Sequence, residues 1–135
     1  MITLDTSAVV ALLHRKDRDH DRMREAFLAA TPPYLIPVAI LAEITYFLET
    51  RSGPRVLDAF LADLEEEAFS LECGTAALPR IRALVQRYAD LPLGFADASV
   101  IACAERHGGA VLTLDERHFG VVAREGNVSV LPSAS

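Results

Sequence analysis

Residues 91–115 read LPLGFADASVIACAERHGGAVLTLD, and this stretch holds a helix, its stop signal and a strand. The first part predicts a helix built largely from small residues. Gly108 and Gly109 end that helix, because glycine readily adopts the backbone conformation that closes a helix C-terminus. The apolar run AVLTLD follows at once and predicts a buried strand that finishes on Asp115. A helix that leads directly into a strand is typical of an α/β fold.

The rest of the chain repeats this alternation of short apolar strands and helices. Four further strands are predicted at residues 2–5, 32–37, 68–73 and 128–132. Helices are predicted at residues 6–15, 16–30, 37–51, 55–67, 75–91 and 91–109. Because no repeat or linker interrupts this order, we expect a single domain over residues 1–135. Its fold class is α/β, with a central, mainly parallel sheet of four to five strands sandwiched by helices.

The composition is that of a folded globular domain. The chain has 135 residues, of which 51% are apolar and 24% are charged, values that argue against disorder. The apolar runs are too short for a membrane-spanning helix, and no secretory signal is visible, so we expect a cytoplasmic protein. Cys73 and Cys103 form no CxxC pair and suggest neither a zinc site nor a disulfide framework. Cys103 is therefore expected to be a small buried thiol.

The net charge of −6 argues against nucleic-acid binding through a broad basic face. It does not exclude an enzyme whose affinity for phosphate comes from bound cations. One segment, HRKDRDHDRMRE, is locally rich in basic residues, and a solvated helix face is its expected explanation. Its basic members that could contact RNA phosphates are Arg15, Lys16, Arg18 and Arg22.

Four carboxylates stand in apolar surroundings. Asp5 and Asp115 each end an apolar strand. Asp97 lies at the front of the small-residue helix, and Glu43 lies in the middle of another helix. Burying an isolated carboxylate costs several kcal/mol or forces it to take up a proton, so each of them needs a cation or solvent. Taken singly, the aspartates could cap helices or begin a turn, and Glu43 could face solvent.

Taken together, the acids predict a shared site. Two aspartates at the ends of parallel strands converge on one edge of the sheet, where ligands bind in open α/β folds, and Asp97 can join them. A cluster of oxygen ligands suits Mg²⁺ or Mn²⁺, which can activate a water and stabilise the leaving oxygen of a phosphodiester. Without the metal, mutual repulsion is expected to raise the pKa of at least one acid. The predicted reaction is metal-dependent hydrolysis of a phosphodiester.

The order and separation of four motifs resemble the PIN-domain ribonucleases, and specifically the VapC-type toxins of bacterial toxin–antitoxin pairs. The motifs are ITLDTSAVVALL (2–13), IPVAILAEITYFL (36–48), RYADLPLGFADASVIACAERHG (87–108) and VLTLDERHF (111–119). The last two are the most specific, whereas the opening Asp-Thr-Ser alone would be weak. The resemblance covers nearly the whole chain and implies a PIN-like three-layer α/β/α sandwich.

The resemblance also implies roles for particular residues. The expected catalytic metal ligands are Asp5, Glu43, Asp97 and Asp115, and the expected supporting hydroxyls are those of Thr113 and Ser7. One or two Mg²⁺ or Mn²⁺ ions are implied as cofactors. Members of this family typically cut tRNA or ribosomal RNA, usually form homodimers, and are silenced by a cognate antitoxin that blocks the active site. The chain is thus expected to be the endoribonuclease toxin of a type II toxin–antitoxin pair.

Other functions fit the sequence less well. A phospho-receiver domain needs a lysine late in the chain, and Lys16 is the only lysine. A P-loop NTPase would need a GxxxxGK motif. A histidine-based ribonuclease would need two convergent histidines, and His107 and His118 show no evident pairing. Arg117 and His118 could contact substrate or form a structural turn. Two alternatives stay open, namely a PIN-like module that binds RNA or protein without cleavage, and a housekeeping RNA-processing nuclease.

Overall fold

The computed structural model describes residues 1–132, which form five strands, seven α-helices and two short 3₁₀ turns. The strands are β1 Ile2–Leu4, β2 Tyr34–Pro37, β3 Ser70–Glu72, β4 Ala110–Leu112 and β5 Ser129–Leu131. The α-helices are α1 Thr6–Leu13, α2 His20–Ala29, α3 Leu41–Arg51, α4 Pro54–Glu65, α5 Leu78–Arg87, α6 Phe95–Arg106 and α7 Glu116–Ala123. The 3₁₀ turns, Val38–Ile40 and Thr75–Ala77, precede α3 and α5. All five predicted strands and all six predicted helices are confirmed, with shorter or shifted ends.

The seventh helix, α7, lies where the sequence allowed a turn beginning at Asp115. Asp115 stands at its N-cap and accepts a hydrogen bond from the backbone N–H of His118. An aspartate at this position satisfies one of the unpaired N–H groups of the first helical turn, which favours the helix. The turn interpretation was wrong because a capping aspartate and a turn-forming aspartate give the same local sequence signal.

The five strands form one sheet in the order β3-β2-β1-β4-β5, and every neighbouring pair is parallel. Helices flank this sheet, which confirms the three-layer α/β/α architecture. β1 lies at the centre, and Leu4 pairs with Leu112 of β4. The backbone N–H of Asp5 donates to the carbonyl oxygen of Leu112 at 3.0 Å, so the chains leaving β1 and β4 stay together. The residues that follow these two strands therefore emerge at one edge of the sheet.

Helix α6 forms the apolar layer against the middle of the sheet. Residues 98–104 are all buried, and α6 contacts β1, β2 and β4. Their small side chains let the helix lie close to the strands, where dense packing gains dispersion energy. The Ser99 hydroxyl, which is buried, donates to the carbonyl oxygen of Phe95 at 2.7 Å and so is satisfied inside its own helix. This packing fixes the N-terminal turn of α6 beside the ends of β1 and β4.

The two cysteines form a disulfide, with a Cα–Cα distance of 5.6 Å. Cys73 follows β3, and Cys103 lies in α6, so the bond ties the edge of the sheet to the helix that covers its centre. The expectation of a buried thiol at Cys103, with no disulfide framework, was wrong. Sequence spacing could not reveal the pair, because the fold brings together two segments 30 residues apart.

Within residues 1–132, no helix combines the length and the apolar character that a bilayer crossing would require.

Candidate active site

A cleft of about 320 Å³ opens at the edge of the sheet where β1 and β4 end. All four predicted acids contribute to its wall, together with a further acid and one arginine. The charged residues that line this acidic cleft are Asp5, Asp17, Glu43, Asp97, Asp115 and Arg51. The convergence expected from the strand ends is therefore present, and the cleft carries a large excess of negative charge.

Asp5 is the most buried member of the acidic cleft, at 5% exposure. It stands at the N-cap of α1, yet its side chain makes no capping hydrogen bond. Its Oδ2 instead accepts hydrogen bonds from the hydroxyls of Thr113, at 2.8 Å, and Ser7, at 3.0 Å. Burial raises the pKa of Asp5, and these hydrogen bonds offset the rise only in part. The simple helix-cap interpretation of Asp5 was therefore wrong.

The same two hydroxyls also hold the loop that follows β4. Ser7 Oγ accepts from the backbone N–H of Leu114, and Thr113 Oγ1 accepts from the backbone N–H of Asp115, both at 3.0 Å. Thr113 is almost fully buried, at 1% exposure. Each hydroxyl thus donates to Asp5 and accepts from the loop, which fixes the position of Asp115 relative to Asp5.

Asp97 lies in the first turn of α6, where Gly94 and not Asp97 occupies the N-cap. Burial, followed by the charges of Asp5 and Asp115, raises the pKa of Asp97 to about 6. The raised pKa expected from clustering is present, although burial contributes more than repulsion. The surroundings of Asp97 therefore disfavour its charged form, and a nearby cation would favour that form.

His118 stands between two of the aspartates. Its Nδ1 lies 3.0 Å from Asp115 Oδ2 and 3.2 Å from Asp97 Oδ2. From the sequence, His118 is expected to contact substrate or to form part of a turn, and nothing there joins it to the acids. The available signal was its spacing of three residues from Asp115, which places both side chains on one face of a helix that had not been predicted.

Glu43 occupies the outer side of the acidic cleft. It lies in the first turn of α3 and is exposed, so the solvent-facing alternative was right about its exposure. It still lines the cleft, and its charge raises the pKa of Asp97 by less than the charges of Asp5 and Asp115 do. The structure thus brings three aspartates close together, with Glu43 at a greater remove.

The residues present fit a hard divalent cation. Asp97, Asp115 and His118 can each offer a ligand atom within 4.8 Å of the others, and Asp5 lies near enough to raise the pKa of Asp97. Carboxylate oxygens are the ligands that Mg²⁺ and Mn²⁺ prefer, and a cation among them would compensate the charge that burial disfavours. Thr113 and Ser7 add the hydrogen bonds that orient a ligand carboxylate.

Comparison with known proteins identifies the family of the chain. The PIN-domain family model matches residues 2–125. Ribonuclease VapC26 of Mycobacterium tuberculosis is 31% identical over 133 residues, which cover 96% of this chain and 98% of that protein. The crystal structure of Mycobacterium tuberculosis VapC20, described as a sarcin–ricin-loop-cleaving toxin, has the same fold. The TM-score is 0.81 at 22% identity, covering 98% of this chain and 100% of VapC20. The chain therefore belongs to the PIN-domain family, among its VapC-type ribonuclease toxins.

Proposed function

We propose that this protein hydrolyses RNA phosphodiester bonds with Mg²⁺ or Mn²⁺ held by Asp5, Asp97 and Asp115, and with Glu43 at the outer side of the same site. The observation that carries the proposal is the convergence of these acids in one cleft, where burial and mutual repulsion raise the pKa of Asp97 to about 6. Such a cluster is unfavourable without a cation, and a divalent cation bound there can catalyse phosphodiester hydrolysis.

The protein's own groups prepare the site in two ways. The Thr113 and Ser7 hydroxyls orient the carboxylate of Asp5, and the cap at α7 orients that of Asp115. Burial excludes water from the inner side of the cluster, which strengthens electrostatic interactions there. When bound, the metal would neutralise the phosphodiester, lower the pKa of the attacking water and stabilise the leaving oxygen.

We further propose that the chain acts as one PIN domain over residues 1–135, in the cytoplasm, and that its substrate is tRNA or ribosomal RNA. The description of VapC20 as a toxin that cleaves the sarcin–ricin loop supports a structured RNA target. A cognate antitoxin and a homodimer complete the proposal. A short neighbouring gene for a DNA-binding antitoxin would support the toxin assignment over that of a housekeeping nuclease.

The test is incubation of purified, antitoxin-free protein with total RNA and Mn²⁺. We expect discrete cleavage products that disappear with a chelator and with Asp5→Asn. Asp5→Asn keeps the shape of the side chain and removes its charge. RNA that is bound and left intact by a folded, metal-loaded protein would instead support a binding module without nuclease activity.

A further inference from the structure

A second cleft of opposite charge adjoins the acidic cleft. This basic cleft has a volume of about 330 Å³ and is lined by three cations, Arg15, Lys16 and Arg51. No carboxylate belongs to its wall in residues 1–132. Arg51, the last residue of α3, lines both clefts and is the one basic residue that the described part of the chain contributes to the acidic cleft. The two clefts are therefore neighbours that share one guanidinium.

The basic cleft is held in place by a specific contact. His14, directly after α1, places its Nδ1 2.8 Å from the hydroxyl oxygen of Ser52, directly after α3. The backbone N–H groups of both residues close their helices, donating to Val10 and Leu48 at 2.9 Å. Two helix ends are thus joined side by side. This junction brings the cations of residues 15 and 16 next to the end of α3.

The three cations are available for a ligand. All of them are exposed, and none forms an ion pair with a carboxylate of the part of the chain that the structure describes. Some other arginines on the surface are already paired, such as Arg80 with Glu105 and Arg87 with Glu125. The Arg51 guanidinium carbon also lies 5.5 Å from the centre of the Phe47 ring, a distance typical of a cation–π contact.

RNA is a polyanion, and a protein of net charge −6 with an acidic cleft repels it. Metal ions can neutralise the phosphate at the cut, but the neighbouring phosphates need cations of their own. We propose that Arg15, Lys16 and Arg51 form a subsite that binds RNA phosphates next to the scissile bond. This inference rests on the proposed function of the acidic cleft, because it places the strand to be cut there.

Within this subsite Arg51 binds the phosphate nearest to the acidic cleft. A guanidinium suits that position because it donates two parallel hydrogen bonds to phosphate oxygens and stays charged at every working pH. Arg15 and Lys16 bind the next phosphates along the basic cleft. An RNA strand is favoured over an acidic protein segment as the occupant because its phosphates continue directly from the site of hydrolysis.

The experiment measures binding of a fluorescent, mixed-sequence, single-stranded RNA in chelator at several salt concentrations. A length of about 20 nucleotides exceeds the usual binding-site size for single strands. We expect Arg51→Ala to weaken binding about tenfold, the loss of one charge-assisted contact. Each cation removed should lower the slope of log affinity against log salt by about 0.7, so that the triple variant Arg15→Ala/Lys16→Ala/Arg51→Ala loses about 2. Arg51→Lys should recover part of the affinity.

The matched control is Arg82→Ala, which removes an exposed arginine of α5 that lines neither cleft. It should leave both affinity and salt slope as in the wild type. Cleavage kinetics in Mn²⁺ give a second readout, in which Arg51→Ala raises KM more than it lowers kcat. This is expected because loss of a phosphate contact should weaken substrate binding more than it slows the chemical step.

An unchanged affinity and salt slope in the triple variant would overturn the inference, and so would a wild type that binds no RNA at low salt. Loss of antitoxin binding alone, with RNA binding intact, would also overturn it and assign the basic cleft to a protein partner. The proposed function fails separately, if the wild type cuts no RNA in Mn²⁺. Asp97→Asn should strongly reduce cutting, bind RNA at least as tightly as the wild type and keep its salt slope, which separates the two clefts.

Discussion

The two ends of α6 contrast in what they contribute. At the N-terminal end, Asp97 is held in a partly buried cleft that opposes its ionisation, so its charge lowers the stability of the folded protein. Further along, residues 98–104 are all buried against the sheet, and Cys103 is bonded to Cys73. The proposed catalytic site thus depends on Asp97, whose ionisation is unfavourable, and the well-packed remainder of α6 keeps Asp97 in position. Changes at the two ends should therefore separate activity from stability.

The largest effect is expected at the chemical end. Asp97→Asn should lower RNA cleavage at least about a thousandfold, because a metal supplies several kcal/mol of transition-state stabilisation. The free energy of unfolding at pH 7 should stay the same or rise, since a buried charge is removed. Cleavage assays and denaturant unfolding on the same preparation measure both. A variant that loses both stability and cleavage activity would contradict the separate roles of the two ends of α6.

The opposite pattern is expected at the disulfide. Reduction, or Cys73→Ser, should lower the free energy of unfolding by about 3–4 kcal/mol, because the bond restricts a long loop in the unfolded chain. Cleavage by the folded protein at 25 °C should change little, since neither cysteine lines the acidic cleft. Chemical unfolding with and without a phosphine reductant gives the measurement. A fall in cleavage rate at unchanged folded fraction would show that the two ends are coupled.

A smaller effect on activity is expected at the hydroxyls behind the acids. Thr113→Val keeps the shape of the side chain and removes the hydrogen bonds to Asp5 and from the backbone of Asp115. We expect cleavage or Mn²⁺ affinity to fall about 10- to 100-fold, as for other groups that orient metal ligands. The matched control is Thr45→Val, at a threonine of α3 whose hydroxyl, within residues 1–132, bonds only to its own helix. Equal losses of cleavage or Mn²⁺ affinity in Thr113→Val and Thr45→Val would contradict the role of Thr113 in orienting the acids.

The smallest effect concerns pH. Because the pKa of Asp97 is raised to about 6 from an ordinary 3.8, the folded metal-free protein binds more protons than the unfolded chain between these values. Its stability should therefore fall as pH rises from 4 to 6, by on the order of 1–2 kcal/mol from this group after allowing for its partial exposure. The difference between wild type and Asp97→Asn isolates the effect. A pH-independent difference would show that Asp97 ionises normally.

These contrasts also show what the sequence could and could not reveal. Asp5 and Asp115 were expected to meet because each ends an apolar strand, and the carboxyl ends of parallel strands share an edge. The place of His118 depended on an unpredicted helix, and the disulfide of Cys73 and Cys103 depended on tertiary proximity. Strand ends have a local signature in the sequence, whereas contacts between distant segments have none.

The basic cleft was even less visible in the sequence than these contacts. The basic residues of the segment that holds Arg15 and Lys16 resemble an ordinary solvated helix face. Only the fold brings two of them beside Arg51, through the contact between His14 and Ser52. A net charge of −6 therefore conceals a local basic surface next to the acidic one.

The most direct test of the account is a calorimetric titration of Mn²⁺ into the wild type and Asp97→Asn, with folding checked by circular dichroism. The account predicts saturable binding to the wild type at one or two sites per chain, with release of protons near pH 6. It predicts that binding to Asp97→Asn is lost or greatly weakened. Equal binding to both proteins, or none to the wild type, would contradict the claim that these carboxylates hold the metal on which RNA hydrolysis depends.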